Sequence, residues 1–253
     1  MKPPANAKNG ARFHVPDPLG PGVELALPDA SGHHATRVLR LGVGDPVVLF
    51  DGHGGEHDAV ILRIHRNEVS ARVIGFRDVD RESPLRVTLV QGISSGDRMD
   101  ITLRKAVELG VGAIVPVATE RSVVKLRDER ADRRRQHWQA LAIAASEQCG
   151  RNTVPAVAEP VDYRVWLAAL PNEAGEQSRI ALAVGGNASL ANLPKPVGDV
   201  LLLVGPEGGL SPEEASLAVT RGFTPIRMGP RILRTETAAV VAMAAMQTLW
   251  GDL

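Results

Sequence analysis

Two glycine-containing segments near the end of the chain carry residue types that could do chemistry. The first, residues 201–214, reads LLLVGPEGGLSPEE, and the second, residues 228–238, reads MGPRILRTETA. Glycines allow a ligand to approach the backbone closely, a carboxylate such as Glu207 or Glu236 can accept a proton, and arginines such as Arg231 and Arg234 can stabilise a developing anion. Each segment leads from a strand-like run into a helix-like run. Together they suggest one shared pocket.

The spacing of the first segment excludes three familiar ligand sites. A P-loop requires a lysine and a hydroxyl residue at fixed offsets, which this segment lacks. A dinucleotide fingerprint requires G-x-G-x-x-G, and a hydrolase elbow requires a serine between its glycines. Glu207 would also repel a phosphate. These exclusions leave a phosphate-free ligand, with a cation as one option, or a tight turn that binds nothing.

The helices after the two segments have recognisable starts. Ser211, Pro212 and Glu214 form the pattern of a capping box with proline in the first turn, so a helix should begin there. After the second segment, Thr235 or Thr237 could cap a helix of nearly pure Ala, Val and Met. Because that helix is apolar on almost every side, we expect it to lie in a core or at a subunit interface.

The rest of the chain divides into a β-rich part and an α/β part. From Phe13 to about Phe76, short strands surround one helix in which Ser31 could be the cap, which predicts a compact β-barrel. From about residue 84, strands alternate with helices that end at Gly110 and Gly150, which predicts a parallel sheet covered on both faces. The predicted organisation is a disordered tail (1–10), a barrel domain (11–80) and an α/β domain (84–253).

Composition limits the function classes. A net charge of zero argues against a protein that coats nucleic acid by bulk charge. The sequence has neither the apolar segment of a signal peptide nor an apolar run long enough to span a membrane. Cys149 is the lone cysteine, so no internal disulfide is expected. We therefore expect a cytoplasmic protein. His33 and His34 have no third ligand nearby, so no metal is expected.

The two segments look like the paired C-terminal motifs of SPOUT-class RNA methyltransferases. Further blocks, HHATRVLRLGVGD, DRESPL, KAVELGVGAIVPVATERSVVK and WQALAIAASEQCGRNTVP, resemble successive parts of the RsmE family. The resemblance runs in order from Arg12 to Leu253. It implies methylation of N3 of one specific uridine in 16S ribosomal RNA, on the small ribosomal subunit. It also implies a SPOUT-type parallel sheet with a C-terminal deep trefoil knot, a preceding PUA-like β-barrel that binds RNA, and a homodimer formed through the knot region.

The resemblance further implies that S-adenosylmethionine (SAM) is the methyl donor, with no metal. Its binding residues would be Leu182, Val184, Gly185, Leu203, Val204, Gly205, Pro206, Glu207, Gly208, Gly209, Met228, Gly229, Ile232, Leu233, Arg234 and Thr237. The donor carries no phosphate and has a cationic sulfonium, which suits a glycine loop with a carboxylate and no lysine.

The same resemblance suggests catalytic and RNA-binding residues. We expect Arg231 or Arg234 to stabilise the uracil anion, while Glu207 and Glu236 are alternative proton acceptors, Glu236 being equally explicable as a helix-dipole partner. RNA would be held by Arg12, Arg37, Arg40, Arg98, Lys105, Arg121, Lys125, Gln148, Arg151 and Asn152. Two alternatives stay open: another SPOUT activity, such as ribose 2′-O methylation of tRNA, and a non-catalytic RNA-binding assembly factor.

Overall fold

A computed structural model describes residues 10–66, 68–122 and 128–253. The chain forms two compact units. The first contains the residues up to Glu82 together with Ser146–Val154, and the second contains Ser83–Ala145 and Pro155–Leu253. The tail expected at residues 1–10 lies outside the described residues except for Gly10.

The first unit is built around a five-stranded sheet. Its elements are β1 (Arg12–His14), β2 (Glu24–Ala26), α1 (Asp29–His33), a π-helical turn (His34–Val38), β3 (Pro46–Phe50), β4 (Glu56–His65) and β5 (Glu68–Arg77). The strand order is β1-β3-β4-β5-β2. β1 runs parallel to β3, whereas the β3–β4, β4–β5 and β2–β5 pairs are antiparallel. The hairpin expected from the sequence between β3 and β4 is therefore confirmed.

Alternating side chains of these strands make the core of the first unit. Phe13, Leu49, Ile61 and Val73 are buried and belong to one apolar cluster. Period-two alternation along a strand places such residues on one face, which is why the sequence pattern predicts them well. The expected cap at Ser31 is wrong, because α1 starts after Pro28 and Ser31 lies buried inside the helix.

A charged cluster lies buried within the first unit. Glu56 is 1% exposed and contacts three arginines, Arg12, Arg77 and Arg81. Burial by itself raises the pKa of Glu56, but hydrogen bonds from Arg81 and Arg12 outweigh it and lower the pKa to about 2. A buried carboxylate is tolerated here because it is paired on both oxygens.

The stretch Ser146–Val154 is attached to the first unit by polar contacts. Asn152 accepts a hydrogen bond from Arg12 and donates one to the Val79 carbonyl at 2.8 Å. Arg151 donates to Glu82, and Glu147 accepts from the His14 amide at 2.9 Å. Sequence-based limits place this stretch in the α/β domain. Contacts between residues more than 60 positions apart group it with the first unit, and no local pattern records such contacts.

The second unit contains a seven-stranded sheet with helices. Its strands are β6 (Val87–Gly92), β7 (Val111–Ala118), β8 (Ala156–Val157), β9 (Val161–Asp162), β10 (Ser178–Leu182), β11 (Val200–Val204) and β12 (Thr224–Ile226). Its helices are α2 (Gly96–Glu108), α3 (Asp128–Cys149, whose last residues count with the first unit), α4 (Tyr163–Ala169), α5 (Pro212–Thr220), α6 (Thr235–Trp250) and a 3-10 turn (Leu190–Asn192). The order is β12-β10-β11-β6-β7-β8, with β9 also paired to β7.

All pairs in this sheet are parallel, as the alternation of strands and helices predicts. β11 lies in the middle of the sheet, and its residues are all buried, which fits its uninterrupted apolar sequence. The carboxyl ends of β11 and β12 lead into the two candidate loops, and the carboxyl end of β10 leads into the turn at 183–186. Parallel strands bring those exits to one edge.

Apart from the start of α1, helix ends follow the sequence signals with one exception, the start of α6. Gly110 and Gly150 follow α2 and α3 with φ of 77° and 87°, a left-handed conformation that favours glycine. The N-cap of α6 is Arg234 without a side-chain cap, so the cap expected at Thr235 or Thr237 is wrong. α6 buries one face, while Val241 remains 39% exposed on the other. Across the described residues, no helix is both long enough and apolar enough to cross a membrane.

Candidate active site

A cavity of about 300 Å³ lies at the carboxyl ends of β10, β11 and β12. Three chain segments surround it: the exit of β10 at 182–184, the stretch 204–210 after β11, and the segment 226–235 with Ala238 of α6. The two glycine-containing segments singled out in the sequence thus line one pocket. Because the three strands are neighbours in the order β12-β10-β11, the sheet itself brings these segments together.

The glycine loop, defined as residues 205–209, makes a tight turn into α5. Gly209 has φ of 68°, and its amide donates to the Pro206 carbonyl at 2.8 Å. A side chain on Gly205 would place its Cβ 2.9 Å from backbone atoms of Gly209 and Leu210. α5 then begins with the capping box expected from the sequence, in which Ser211 and Glu214 exchange hydrogen bonds. The loop therefore requires glycine where the sequence has it.

A buried hydrogen-bond network joins the two loops. Thr235 donates its hydroxyl hydrogen to the Gly205 carbonyl at 2.7 Å. Gln91, at the end of β6 and fully buried, donates to Thr235 Oγ1 at 3.1 Å and to the Gly92 carbonyl at 2.9 Å. The start of α6 is therefore fixed against the glycine loop by the side chains of Gln91 and Thr235. The sequence did not predict that these two residues are partners.

Glu207 is the carboxylate of the glycine loop, and one of its two oxygens accepts three hydrogen bonds. Its Oε1 accepts from the Ser95 amide at 2.8 Å, from Ser95 Oγ at 2.7 Å and from Arg98 Nη1 at 2.9 Å. Burial raises its pKa, but the combined hydrogen bonds from Ser95 and Arg98 prevail and lower the pKa to about 2. Glu207 is thus ionised throughout the physiological pH range.

Three further contacts hold the glycine loop and the start of α5, two from the chain that follows β7 and one from α4. Arg121 Nη1 donates to the Gly208 carbonyl at 2.9 Å. The Glu120 amide donates to Glu214 Oε1 at 2.8 Å, which adds a partner to the capping box. The hydroxyl of Tyr163 donates to the Glu214 carbonyl at 2.9 Å, and burial raises the pKa of Tyr163 beyond its usual range.

The expected catalytic residues occupy different places. Arg231 and Glu207 line the cavity, whereas Arg234 and Glu236 do not. Arg234 is exposed at the N-cap of α6. Glu236 lies in the first turn of α6, where a carboxylate complements the helix dipole, and its Oε2 is buried without a hydrogen-bond partner.

Most of the expected donor-binding residues meet in the cavity. Those that line it are Leu182, Val184, Val204, Gly205, Pro206, Glu207, Gly208, Gly209, Met228, Gly229, Ile232 and Leu233. Gly185, Leu203, Arg234 and Thr237 do not line it. Leu203 is fully buried in β11, where its side chain serves the core. Eight further residues line the cavity, namely Ala183, Leu210, Ile226, Arg227, Pro230, Arg231, Thr235 and Ala238. Their position one or two residues from the expected ones is the signal that could have found them.

The expected RNA-binding residues fall into three groups. Arg12, Arg151 and Asn152 have their polar groups in the internal contacts of the first unit, so the structure gives them a role inside that unit. Arg98, Lys105 and Arg121 make the contacts to Glu207, Glu108 and Gly208. Arg37, Arg40 and Gln148 form the third group and are exposed, as are Lys105 and Arg121 of the second. Lys125 lies outside the described residues.

Arg37 and Arg40 are three residues apart, a spacing that would place them on one face of a continuous helix, but they do not share one. The helical turn ends at Val38, and Arg40 has φ of 54°, so it lies beyond the helix in a left-handed conformation. Both side chains are exposed all the same. In the part of the chain that the structure describes, no group of three or more His, Cys, Asp or Glu is placed to hold a metal ion.

Sequence comparison places this site in a known class of proteins. The profile of a family described as RNA methyltransferase domain matches residues 81–247, and one described as RNA methyltransferase PUA domain matches residues 27–74. The first match covers more than half of the chain and includes all of the cavity. The chain is therefore a member of the RNA methyltransferase domain family, with a PUA-like domain before the α/β domain.

Individual relatives narrow the family. Ribosomal RNA small subunit methyltransferase E of Bacillus subtilis is 34% identical over 234 residues, which cover 87% of this chain and 90% of that protein. The protein of the same name from Buchnera aphidicola is 31% identical over 241 residues, covering 95% and 94%. The chain belongs to the ribosomal RNA small subunit methyltransferase E family, which confirms the resemblance found in its motifs.

Solved structures agree. A ribosomal RNA small subunit methyltransferase E from Neisseria gonorrhoeae, bound to S-adenosyl methionine, is 43% identical and covers 96% of this chain and 99% of its own, with a TM-score of 0.89. A methyltransferase from Legionella pneumophila in complex with SAM is 38% identical, with the same coverage and a TM-score of 0.91. The predicted α/β fold with a PUA-like N-terminal domain is confirmed, while the trefoil knot stays a prediction.

Proposed function

We propose that this chain transfers the methyl group of SAM to N3 of one specific uridine in 16S ribosomal RNA, on the small ribosomal subunit. The observation that carries the proposal is the cavity at the exits of β10, β11 and β12, lined by both glycine-containing segments. The SAM bound to the two similar solved proteins supports the donor, and the family name of the relatives supports the ribosomal RNA.

The chemistry of the cavity lining fits the donor. Apolar side chains such as Leu182, Ile226 and Leu233 offer contact for an adenine ring and a thioether. The glycine loop exposes backbone groups for hydrogen bonding, and the lining among the described residues contains no lysine of the kind that clamps phosphates. The ionised carboxylate of Glu207 is compatible with a cationic sulfonium. When bound, SAM supplies an electrophilic methyl carbon.

The chain's own residues would orient the uridine and stabilise its anion. Uridine N3 must lose its proton before it forms a bond with the methyl carbon, and the carbon–sulfur bond breaks in line as that bond forms. Arg231 lines the cavity, and its exposed guanidinium can lie near the uracil oxygens, where negative charge develops. This supports arginine stabilisation by Arg231. Arg234, outside the lining, is the weaker candidate.

RNA and a second copy of the chain are the proposed partners. Arg37, Arg40 and Gln148 are exposed and available to phosphate or sugar groups. In α6, the apolar residues Val241 and Leu249 are 39% and 47% exposed. An apolar helix with an open face is typical of a subunit interface, which supports a homodimer formed through this region, where the predicted knot would also lie. The cytoplasmic location expected from the sequence is part of the same proposal.

Two measurements test the proposed function. Isothermal titration of the full chain with SAM should show binding, and an absence of binding would favour a non-catalytic assembly factor. Mass spectrometry of 16S RNA from cells that lack the gene should show the loss of a single N3-methyluridine, restored by this chain. Restoration of a methyl group at a ribose or in tRNA instead would overturn the N3 assignment.

Substitution of the two arginines tests the mechanism. Arg231→Ala should lower kcat by about 10²-fold while the Kd for SAM changes little, because the lost interaction stabilises charge that develops in the transition state. Arg164→Ala, on the exposed side of α4, is the matched control for removing a surface charge. Wild-type methylation by Arg231→Ala would remove this residue from the mechanism, and an equal loss in Arg234→Ala would place both arginines in it.

A further inference from the structure

We infer that Glu207 is a positioning residue that anchors the glycine loop to its neighbours, and that it does not take the proton of the uridine. Ser95 and Arg98 hold its carboxylate, and Arg121 holds the carbonyl of the next residue, Gly208. We call these contacts the loop anchor. The inference rests on the proposed function in so far as it concerns the proton. The anchor itself rests on geometry alone.

The first half of the loop anchor comes from the chain that follows β6. Ser95 contributes its amide and its hydroxyl to Glu207 Oε1, at 2.8 and 2.7 Å, and Arg98 contributes Nη1 at 2.9 Å. Ser95 is the N-cap residue of α2, and Arg98 lies in its first turn. β6 is the strand next to β11 in the sheet. The carboxylate therefore ties the loop after β11 to the helix after the neighbouring strand.

The second half comes from the chain that follows β7. Arg121 Nη1 donates to the Gly208 carbonyl at 2.9 Å. Its aliphatic stem lies against the same residue, because a Cβ added at Gly208 would be 3.1 Å from Arg121 Cβ and 3.3 Å from its Cδ. Two consecutive loop residues, Glu207 and Gly208, are thus held by arginines from two different strand exits.

Such anchoring has a physical purpose in a glycine loop. Glycine loses more conformational freedom on ordering than any other residue, so a loop with three glycines in five positions is costly to fix for ligand binding. Contacts that order the loop before the donor arrives reduce that cost and increase affinity. The loop lines the cavity with backbone groups, so its conformation sets the positions of the donor's hydrogen-bond partners.

The same contacts make Glu207 a poor base. Its Oε1 already accepts three hydrogen bonds, all of which favour the ionised form. These hydrogen bonds hold the pKa of Glu207 at about 2, far below the operating pH. A base works best when its pKa lies near the operating pH. Glu207 is the one carboxylate among the described residues that line the cavity. Under this inference, the uridine proton leaves to solvent water.

The test is a double-mutant cycle on the full chain with Glu207→Gln, Arg98→Ala and the double variant. The readouts are the Kd for SAM, the pH profile of kcat, and hydrogen exchange of a peptide covering residues 203–210 without donor or RNA. A positioning role predicts that each single variant weakens SAM binding about tenfold and speeds exchange of the loop, that the double variant is little worse than either, and that the pH profile keeps its shape. Arg121→Ala should also speed the exchange. Arg104→Ala, an exposed arginine of α2 outside the anchor, is the matched control.

If Glu207 were the base that takes the uridine proton, the results would differ. Glu207→Gln would then lower kcat more than 100-fold with an unchanged Kd for SAM, would alter the pH profile, and would leave loop exchange as in the wild type. That outcome, or wild-type exchange in both Glu207→Gln and Arg98→Ala, overturns the inference. Failure of the wild-type chain to bind SAM would overturn the proposed function instead. The exchange measurement uses no donor, so it would still decide whether the anchor orders the loop.

Discussion

Thr235 donates its hydroxyl hydrogen to the carbonyl of Gly205 at 2.7 Å. The two residues are 30 positions apart and belong to the two glycine-containing segments that line the cavity. Gln91 Nε2 lies 3.1 Å from the same hydroxyl oxygen, so the bond is part of a buried network. The start of α6 is therefore held against the glycine loop by buried hydrogen bonds through Gln91 Nε2 and Thr235 Oγ1.

Removal of the Thr235 hydroxyl should weaken both the fold and the site. Thr235→Val keeps the shape but removes one of the acceptors of the Gln91 amide and the donor to the Gly205 carbonyl, at a cost of about 1–3 kcal/mol in the free energy of unfolding. Urea denaturation measures this loss, and titration with SAM should show weaker binding. Thr235→Ser is the control because it keeps the hydroxyl, and a Ser variant as unstable as the Val variant would contradict the explanation.

The close backbone approach at Gly205 should make a single methyl group harmful. In Gly205→Ala, the new Cβ would be 2.9 Å from backbone atoms of Gly209 and Leu210, so the glycine loop must move. We expect the Kd for SAM to rise at least about tenfold, since the loop lines the cavity. Gly75→Ala in β5, where a Cβ meets nothing within 4 Å, is the matched control. Unchanged SAM affinity in Gly205→Ala would show that the loop tolerates displacement.

The capping box of α5 offers a prediction of stability. Ser211→Ala removes the acceptor for the Glu214 amide and should lower the free energy of unfolding by about 1 kcal/mol. The control is Ser189→Ala, at the start of the 3-10 turn, where the serine makes no side-chain cap bond. Equal losses in the two variants, measured by urea denaturation, would argue against a specific capping effect.

Breaking the charged cluster of the first unit should greatly lower the free energy of unfolding. Glu56→Gln leaves Arg12, whose side chain is 13% exposed, without its counter-charge, and should cost about 3 kcal/mol in the free energy of unfolding. Glu24→Gln removes the exposed partner of Arg72 and should cost less than about 1 kcal/mol. A smaller loss for Glu56→Gln than for Glu24→Gln would mean that burial of the cluster contributes no net stability.

The same carboxylate predicts how stability depends on pH. The pKa of Glu56 falls from an ordinary 4.5 to about 2 in the folded chain. A lowered pKa stabilises the fold above pH 4.5, and this contribution disappears as the pH falls towards 2. The stability difference between the wild type and Glu56→Gln should therefore shrink between about pH 5 and pH 2. A difference independent of pH would contradict the prediction.

Much of the local structure was readable from the sequence. The capping box at Ser211, the glycines that end α2 and α3, and the β3–β4 hairpin follow from short-range rules of backbone conformation and hydrogen bonding. The continuous apolar run of β11 identified a strand buried on both faces. The family was readable because its motifs combine glycines and charged residues at fixed spacings. The physical cause of these local structures lies within about five residues of sequence, so a short pattern is enough to predict them.

The tertiary structure decided how the charged residues are used. Arg98 and Arg121 look in the sequence like free RNA ligands, yet they contact Glu207 and Gly208, each about 90 to 110 positions away. Arg12 likewise turned from a candidate RNA contact into the partner of Glu56. The sequence does not show where a charged side chain points, and only the folded chain determines which partner it contacts. The role of Glu207 depends on that, because the donors that lower its pKa come from a different strand exit.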